Sequence, residues 1–182
     1  MADFGLNPKV TAESATVVFE ASLLSASNPK KLESAAEEQQ NELDALQSIY
    51  GELDSASAAV AGAKSGVLVV REPTGVGSRV FDVAITAADD PDGKPGDKKA
   101  SCMLRIAYSP LYPDSLPQID IVGPFGGLRP TEEMRERMVS GLADLSRRSI
   151  GMSHVHLLVD EASARLMDEA RLAAGGGGSL YE

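Results

Sequence analysis

The chain has 182 residues, 43% hydrophobic and only 4% aromatic with no Trp, so one domain with short appendages is expected, its core built mainly of aliphatic side chains and Met. Lys and Arg number 17 against 27 Asp and Glu, a formal net charge of −10 that argues against nucleic-acid binding and against docking on anionic membranes. A single Cys leaves no intramolecular disulfide, and no run of about 18 apolar residues or leader-like N-terminus is present, so a soluble cytoplasmic protein is expected.

Residues 1–33 are read as a loosely ordered N-terminal extension, rich in Ser, Ala and Asn, with one strand-like piece at Thr16–Phe19. A helix is predicted over 34–50. Ser34 followed by Glu37 fits a capping box, and Gln39, Leu43, Leu46, Tyr50 and Leu53 recur at helical spacing along one face. Gly51 is the expected stop. From Glu33 to Asp54 there are seven acids and no base, so most of the net charge is local to this helix and its exit. Such a run is ordinarily a solvated face. The functional alternative makes Glu37, Glu38, Glu42 and Asp44 a candidate interaction surface for a basic partner. The Ala/Ser-rich stretch 55–65 suits either a helix extension or a loop.

Four strands follow, at 67–70, 79–85, 102–108 and 118–122. Phe81, Val83 and Ile85 alternate with Asp82 and Ala84, and Leu104 and Ile106 with Met103 and Arg105. That pattern predicts an antiparallel meander with one buried face and one more polar face. Glu72–Gly77 forms the first turn and Asp89–Lys99 a longer excursion. Gly123–Gly127 reads as a turn after the fourth strand; it lacks the Lys and Ser/Thr of a phosphate loop. Asp89–Gly93 has calcium-like spacing, but its twelfth loop position is Ala100 where a Glu is needed.

A helix opening at Pro130–Glu133 presents Met134, Met138, Leu142 and Leu145 on one face, with Arg147 and Arg148 at its end. His154–Val159 reads as a short apolar stretch with both histidines on one strand face, and a last helix over 160–173. Two His without further Cys or His do not complete a structural zinc set, and no metal or cofactor is expected. Gly175–Ser179 begins a flexible Gly-rich tail over 174–182. The fold class is α+β, in the order α-β-β-β-β-α-α, with helices on one sheet face.

One segment discriminates among folds. Tyr108–Pro117 places three prolines within eight residues, which fixes the backbone in successive turns. The ring and hydroxyl of Tyr112 can staple those turns to the domain. Tyr112, Pro113 and Pro117, following a strand and preceding a strand and two helices, resemble the motif of the RWD domain family. Asn41–Tyr50 resembles that family's first helix. Leu104-x-Ile106-x-Tyr108 resembles its third strand, and Ser149–Met152 its Gly-Met stretch. The resemblance spans about 34–172 and marks 34–173 as the domain.

The resemblance implies a fold akin to ubiquitin-conjugating enzymes and a role in protein binding. It points to an adaptor in translational control, which would bind the ribosome-associated activator of the general-control kinase or a ribosome-linked GTPase. Conjugating enzymes need a Cys after the fourth strand with an Asn to support the oxyanion. This chain has neither after Pro117, and Cys102 lies upstream in the third strand, where a small apolar role fits it. The expectation is therefore no catalytic residue. Two alternatives remain open: a binding partner or cofactor in ubiquitin-like conjugation that does no thioester chemistry, and a kinetochore-type structural protein. The second normally follows a coiled coil, and no sustained heptad precedes residue 34. Oligomeric state is not legible.

Overall fold

The computed structural model describes residues 28–59, 66–71, 79–87 and 99–175. The strand-like piece at 16–19, both connections flanking the second strand, the calcium-like spacing and residues 176–182 lie outside the described residues.

Helix α1 runs Pro29–Tyr50, five residues earlier than expected. Its cap is Asn28, whose side chain accepts from the Lys31 N–H at 3.2 Å, with Pro29 at the first helical position. Ser34 is inside the helix and caps nothing, so residues 29–33 belong to the domain's first helix and not to an extension. Gly51 ends α1 at φ +86°, a left-handed conformation that suits glycine. The chain then runs beside the first strand, with Leu53 N–H donating to Val67 O at 2.9 Å. It makes a one-turn helix α2, Ser55–Ala58, capped by Asp54. Hydrogen bonds from the Ser57 backbone and side chain hold the Asp54 carboxyl below its ordinary value.

Strands β1 (Gly66–Arg71), β2 (Val80–Thr86), β3 (Ser101–Ala107) and β4 (Gln118–Gly126) form an antiparallel meander in sequential order. β4 continues through Gly123–Gly126, where a turn was expected. β4 is an edge strand, and the register to β3 shifts between Ser101 and Met103, so Pro124 enters without removing a needed ladder donor.

Helix α3 spans Glu132–Arg148, capped by Thr131, whose hydroxyl accepts from the Met134 N–H at 3.1 Å. Helix α4 spans Val155–Gly175 as one continuous element, so the separate apolar stretch expected at 154–159 is its first turn. Val155, Leu158, Val159, Ala162 and Leu166 recur at helical spacing and are all buried, which is what makes this segment helix. Arg137 and Glu169 tie α3 to α4 through two hydrogen bonds, of 2.9 and 2.6 Å.

The main core lies between the sheet and α1, α3 and α4. Leu43 and Leu46 of α1, Phe81, Val83, Leu104, Ile106 and Ile121 of the sheet, and Met138, Leu142, Leu158 and Leu166 of the last helices meet there. The other face is less polar than alternation suggests. Ala58, Ala84 and Met103 are buried on it, with Leu53, Leu68 and Val122 against them, because the α1 exit and α2 fold over that face. Beside this small cluster runs a charged row. Asp82 faces Arg105 across the ladder, and Arg105 faces Asp120. Arg105 donates to both Asp82 oxygens at 2.8 Å.

Candidate interaction site

The Tyr-Pro segment joins β3 to β4 in closely bonded turns. Tyr112 N–H donates to Ser109 O at 3.0 Å and Ser115 N–H to Leu111 O at 3.2 Å, and the hydroxyls of Ser109 and Ser115 meet at 2.6 Å. Two neighbours grip it. From α1, the Gln39 amide donates to both Ser109 O and Tyr112 O at 3.1 Å. From the α3–α4 connection, Gly151 N–H donates to Pro113 O at 2.9 Å. Gly151 sits at φ +88°, a backbone conformation that favours glycine.

Beneath the turn lies a buried polar cluster. The Tyr112 ring stacks on Tyr108 at 4.5 Å and 20°, and Tyr108 meets Phe81 edge-on. The Tyr112 hydroxyl accepts the His154 N–H at 2.9 Å. Glu42, on α1, accepts the Tyr108 hydroxyl on one oxygen at 2.7 Å and the Val155 N–H on the other at 2.8 Å. Val155 opens α4, so Glu42 puts a carboxylate on an orphan donor at the positive end of a helix distant in sequence. Burial, and then the charge of Glu42, push both tyrosine hydroxyls well above their ordinary value.

His154 completes the cluster. Its Nδ1 lies 2.7 Å from Met152 O, which can only accept, so Nδ1 carries the proton. Its Nε2 is then free to accept the Ser146 hydroxyl at 2.7 Å. His154 and Ser146 are both buried, whereas His156 is exposed. His154 stands just before α4 and His156 lies in its first turn, so the two histidines do not share a strand face.

Tyr112, Pro113 and Pro117 are therefore brought together and buried, an architectural placement. Glu37, Glu38 and Asp44 are exposed on α1, and Asp44 accepts from Gln40 at 2.6 Å. Glu42 is not part of that surface. It is 7% exposed, and its place in the candidate interaction surface is corrected by the two donors it satisfies inside the domain. The signal was present: Ala35, Gln39, Glu42 and Leu46 follow the same helical spacing as the core face. Cys102 is buried on β3, and burial pushes its thiol up to about 12, which keeps it protonated and unreactive at neutral pH.

The sequence model described as "RWD domain" matches residues 37–166, more than half of the chain. The chain belongs to the RWD domain family. RWD domains are protein-interaction modules related in fold to ubiquitin-conjugating enzymes. This RWD domain is similar to the solution structure of the RWD domain of mouse GCN2, with a TM-score of 0.55 and 20% identity over 81% of this chain and 90% of that one. That likeness is one of fold: a four-stranded antiparallel sheet preceded and followed by helices. No curated protein matches the chain in a sequence search.

Proposed function

We propose that this RWD domain is a non-catalytic adaptor of the cytoplasm that works in translational control, contacting the ribosome-associated activator of the general-control kinase or a ribosome-linked GTPase. One observation carries the non-catalytic half of the reading. The only Cys is sealed in β3 with its thiol pushed up to about 12, on the sheet and upstream of the place where conjugating enzymes carry theirs. The docking half rests on α1. Its exposed acids Glu37, Glu38 and Asp44 stand in a stretch without a base from residue 33 to 54, which favours a basic partner.

Affinity purification from cell extract with mass spectrometry tests the docking half. A ribosome-associated protein lost with Glu37→Lys and Glu38→Lys together supports it, and the absence of any such partner counts against it. Incubation with activating enzyme, ubiquitin and ATP tests the other half. No reducible adduct is expected, and a thioester on Cys102 overturns the reading.

A further inference from the structure

The corner where α3 passes into α4 leaves large apolar side chains in water. Ile150 and Met152, on either side of Gly151, are 49% and 59% exposed. Leu116 is 39% exposed in the Tyr-Pro turn, which Gly151 bonds through Pro113 O. Arg147 and Arg148 are exposed just before them, at the end of α3. Arg147 pairs with the Asp144 carboxylate, whereas Arg148 turns its Nε to the Asp144 carbonyl and has no carboxylate partner among the described residues. The start of α1 lies beside this corner. The Lys31 ammonium reaches the Asp114 carboxylate at 2.9 Å, Asp114 follows Pro113, and Pro113 O accepts the Gly151 N–H at 2.9 Å. Twenty-seven residues precede Asn28, the cap of α1. They gather apolar side chains at Val17, Val18, Phe19, Leu23 and Leu24, and Glu20 is the only charged residue between Ser14 and Pro29.

We propose that residues 17–24 fold back over this corner of the same chain, with Phe19 and Leu23 on Ile150, Met152 and Leu116 and with Glu20 toward the Arg148 guanidinium. Three observations choose this occupant. The tether enters the fold beside the patch, and its nine steps from Asn28 back to Phe19 reach about 30 Å when extended. The one acid of the segment matches the one base of the corner that lacks a carboxylate. A short tether also holds the segment at roughly millimolar effective concentration, so a contact with a Kd of about 1 mM is made half the time without a second molecule. Joining the two apolar sets removes both from water. The cover excludes other proteins from the corner and leaves Glu37, Glu38 and Asp44 of α1 open, so it does not rest on the adaptor reading.

The test uses the full chain with Ser22→Cys carrying a nitroxide label; Cys102 is buried and its thiol stays protonated, so it takes none. The methyl resonances of Leu116, Ile150 and Met152 are expected to broaden. Those of Ile49 and Leu172, exposed toward the far ends of α1 and α4, should stay sharp. Phe19→Asp should reduce the fraction covered about fivefold, the scale of one partly buried aromatic ring, and Met152 should then oxidise in peroxide correspondingly faster. Glu20→Arg should reduce it about twofold, the scale of one exposed charge pair. Sharp methyls throughout, broadening spread evenly over the surface, or equal Met152 oxidation in the parent and Phe19→Asp chains overturns the proposal. Mixing the nitroxide chain with an isotope-labelled chain that carries no nitroxide tests the remaining occupant. Broadening that persists in the mixture places the segment on a second copy and overturns the fold-back.

Discussion

Glu42 and Asp82 are both carboxylates held out of water, and they are held differently. Under the Tyr-Pro turn, Glu42 is satisfied by neutral donors, a tyrosine hydroxyl and a backbone N–H. On the opposite face of the sheet, the buried Asp82 is satisfied by a cation, held by Arg105 on both oxygens with the arginine half in solvent. The neutral donors fix the geometry of Glu42, and they bind three elements, α1, the β3–β4 turn and α4, at one point. The ion pair cancels charge but joins only adjacent strands. The first arrangement is architecture for the whole domain; the second is local.

The largest effect should follow from breaking the first. Glu42→Leu leaves the Tyr108 hydroxyl and the Val155 N–H unpaired and should cost about 3–5 kcal/mol in urea denaturation, approaching the whole stability of a small domain. Alkaline titration sharpens the same point. Both phenols are held above their ordinary value of 10.0 in the folded state. Above about pH 10 the unfolded chain therefore sheds protons that the folded one retains, and stability falls by about 1.4 kcal/mol per pH unit for each phenol. Tyrosine absorbance followed together with circular dichroism should show these two rings ionising only as the fold is lost; ionisation within an intact fold would refute the burial argument.

Breaking the ion pair should matter less. Asp82→Asn should cost about 1 kcal/mol, because Arg105 can turn to water, and the loss should shrink in high salt. The smallest effect should come from the exposed side of α1, where Glu37→Gln should change stability by less than about 0.5 kcal/mol on the same denaturation curve. A large loss there would mean that the acidic face is structural.

Much of this was legible in the sequence, and the misses have physical causes. Alternation placed the four strands because one sheet face is fully apolar. The three prolines and Tyr112 marked the turn because each fixes backbone or packs a ring. The start of α1 was missed because Asn28-Pro29, a cap with proline at the first helical position, is followed by two lysines that read as loop, while Ser34 offers a competing cap inside the helix. His154–Val159 was read as a separate stretch, although Val155, Leu158, Val159 and Ala162 already carry the helical period. Glu42 was assigned to the surface by its charge. Its position four before Leu46 and three after Gln39 placed it on the inner face, but its donors, Tyr108 and Val155, are far along the chain, and only the fold brings them to it.

That distance has a consequence for how the protein is made. The bond from Val155 to Glu42 joins residues 113 apart in sequence, and the one from His154 to Tyr112 joins residues 42 apart. Both donors lie at the start of the last helix. Until that helix has left the ribosome, a nascent chain that has already formed α1 and the sheet holds its inner acid without the partner that finishes it. A polypeptide ending before residue 154 lacks both donors, so the α1 carboxylate and the Tyr112 hydroxyl lose the partners that close the cluster in the complete domain.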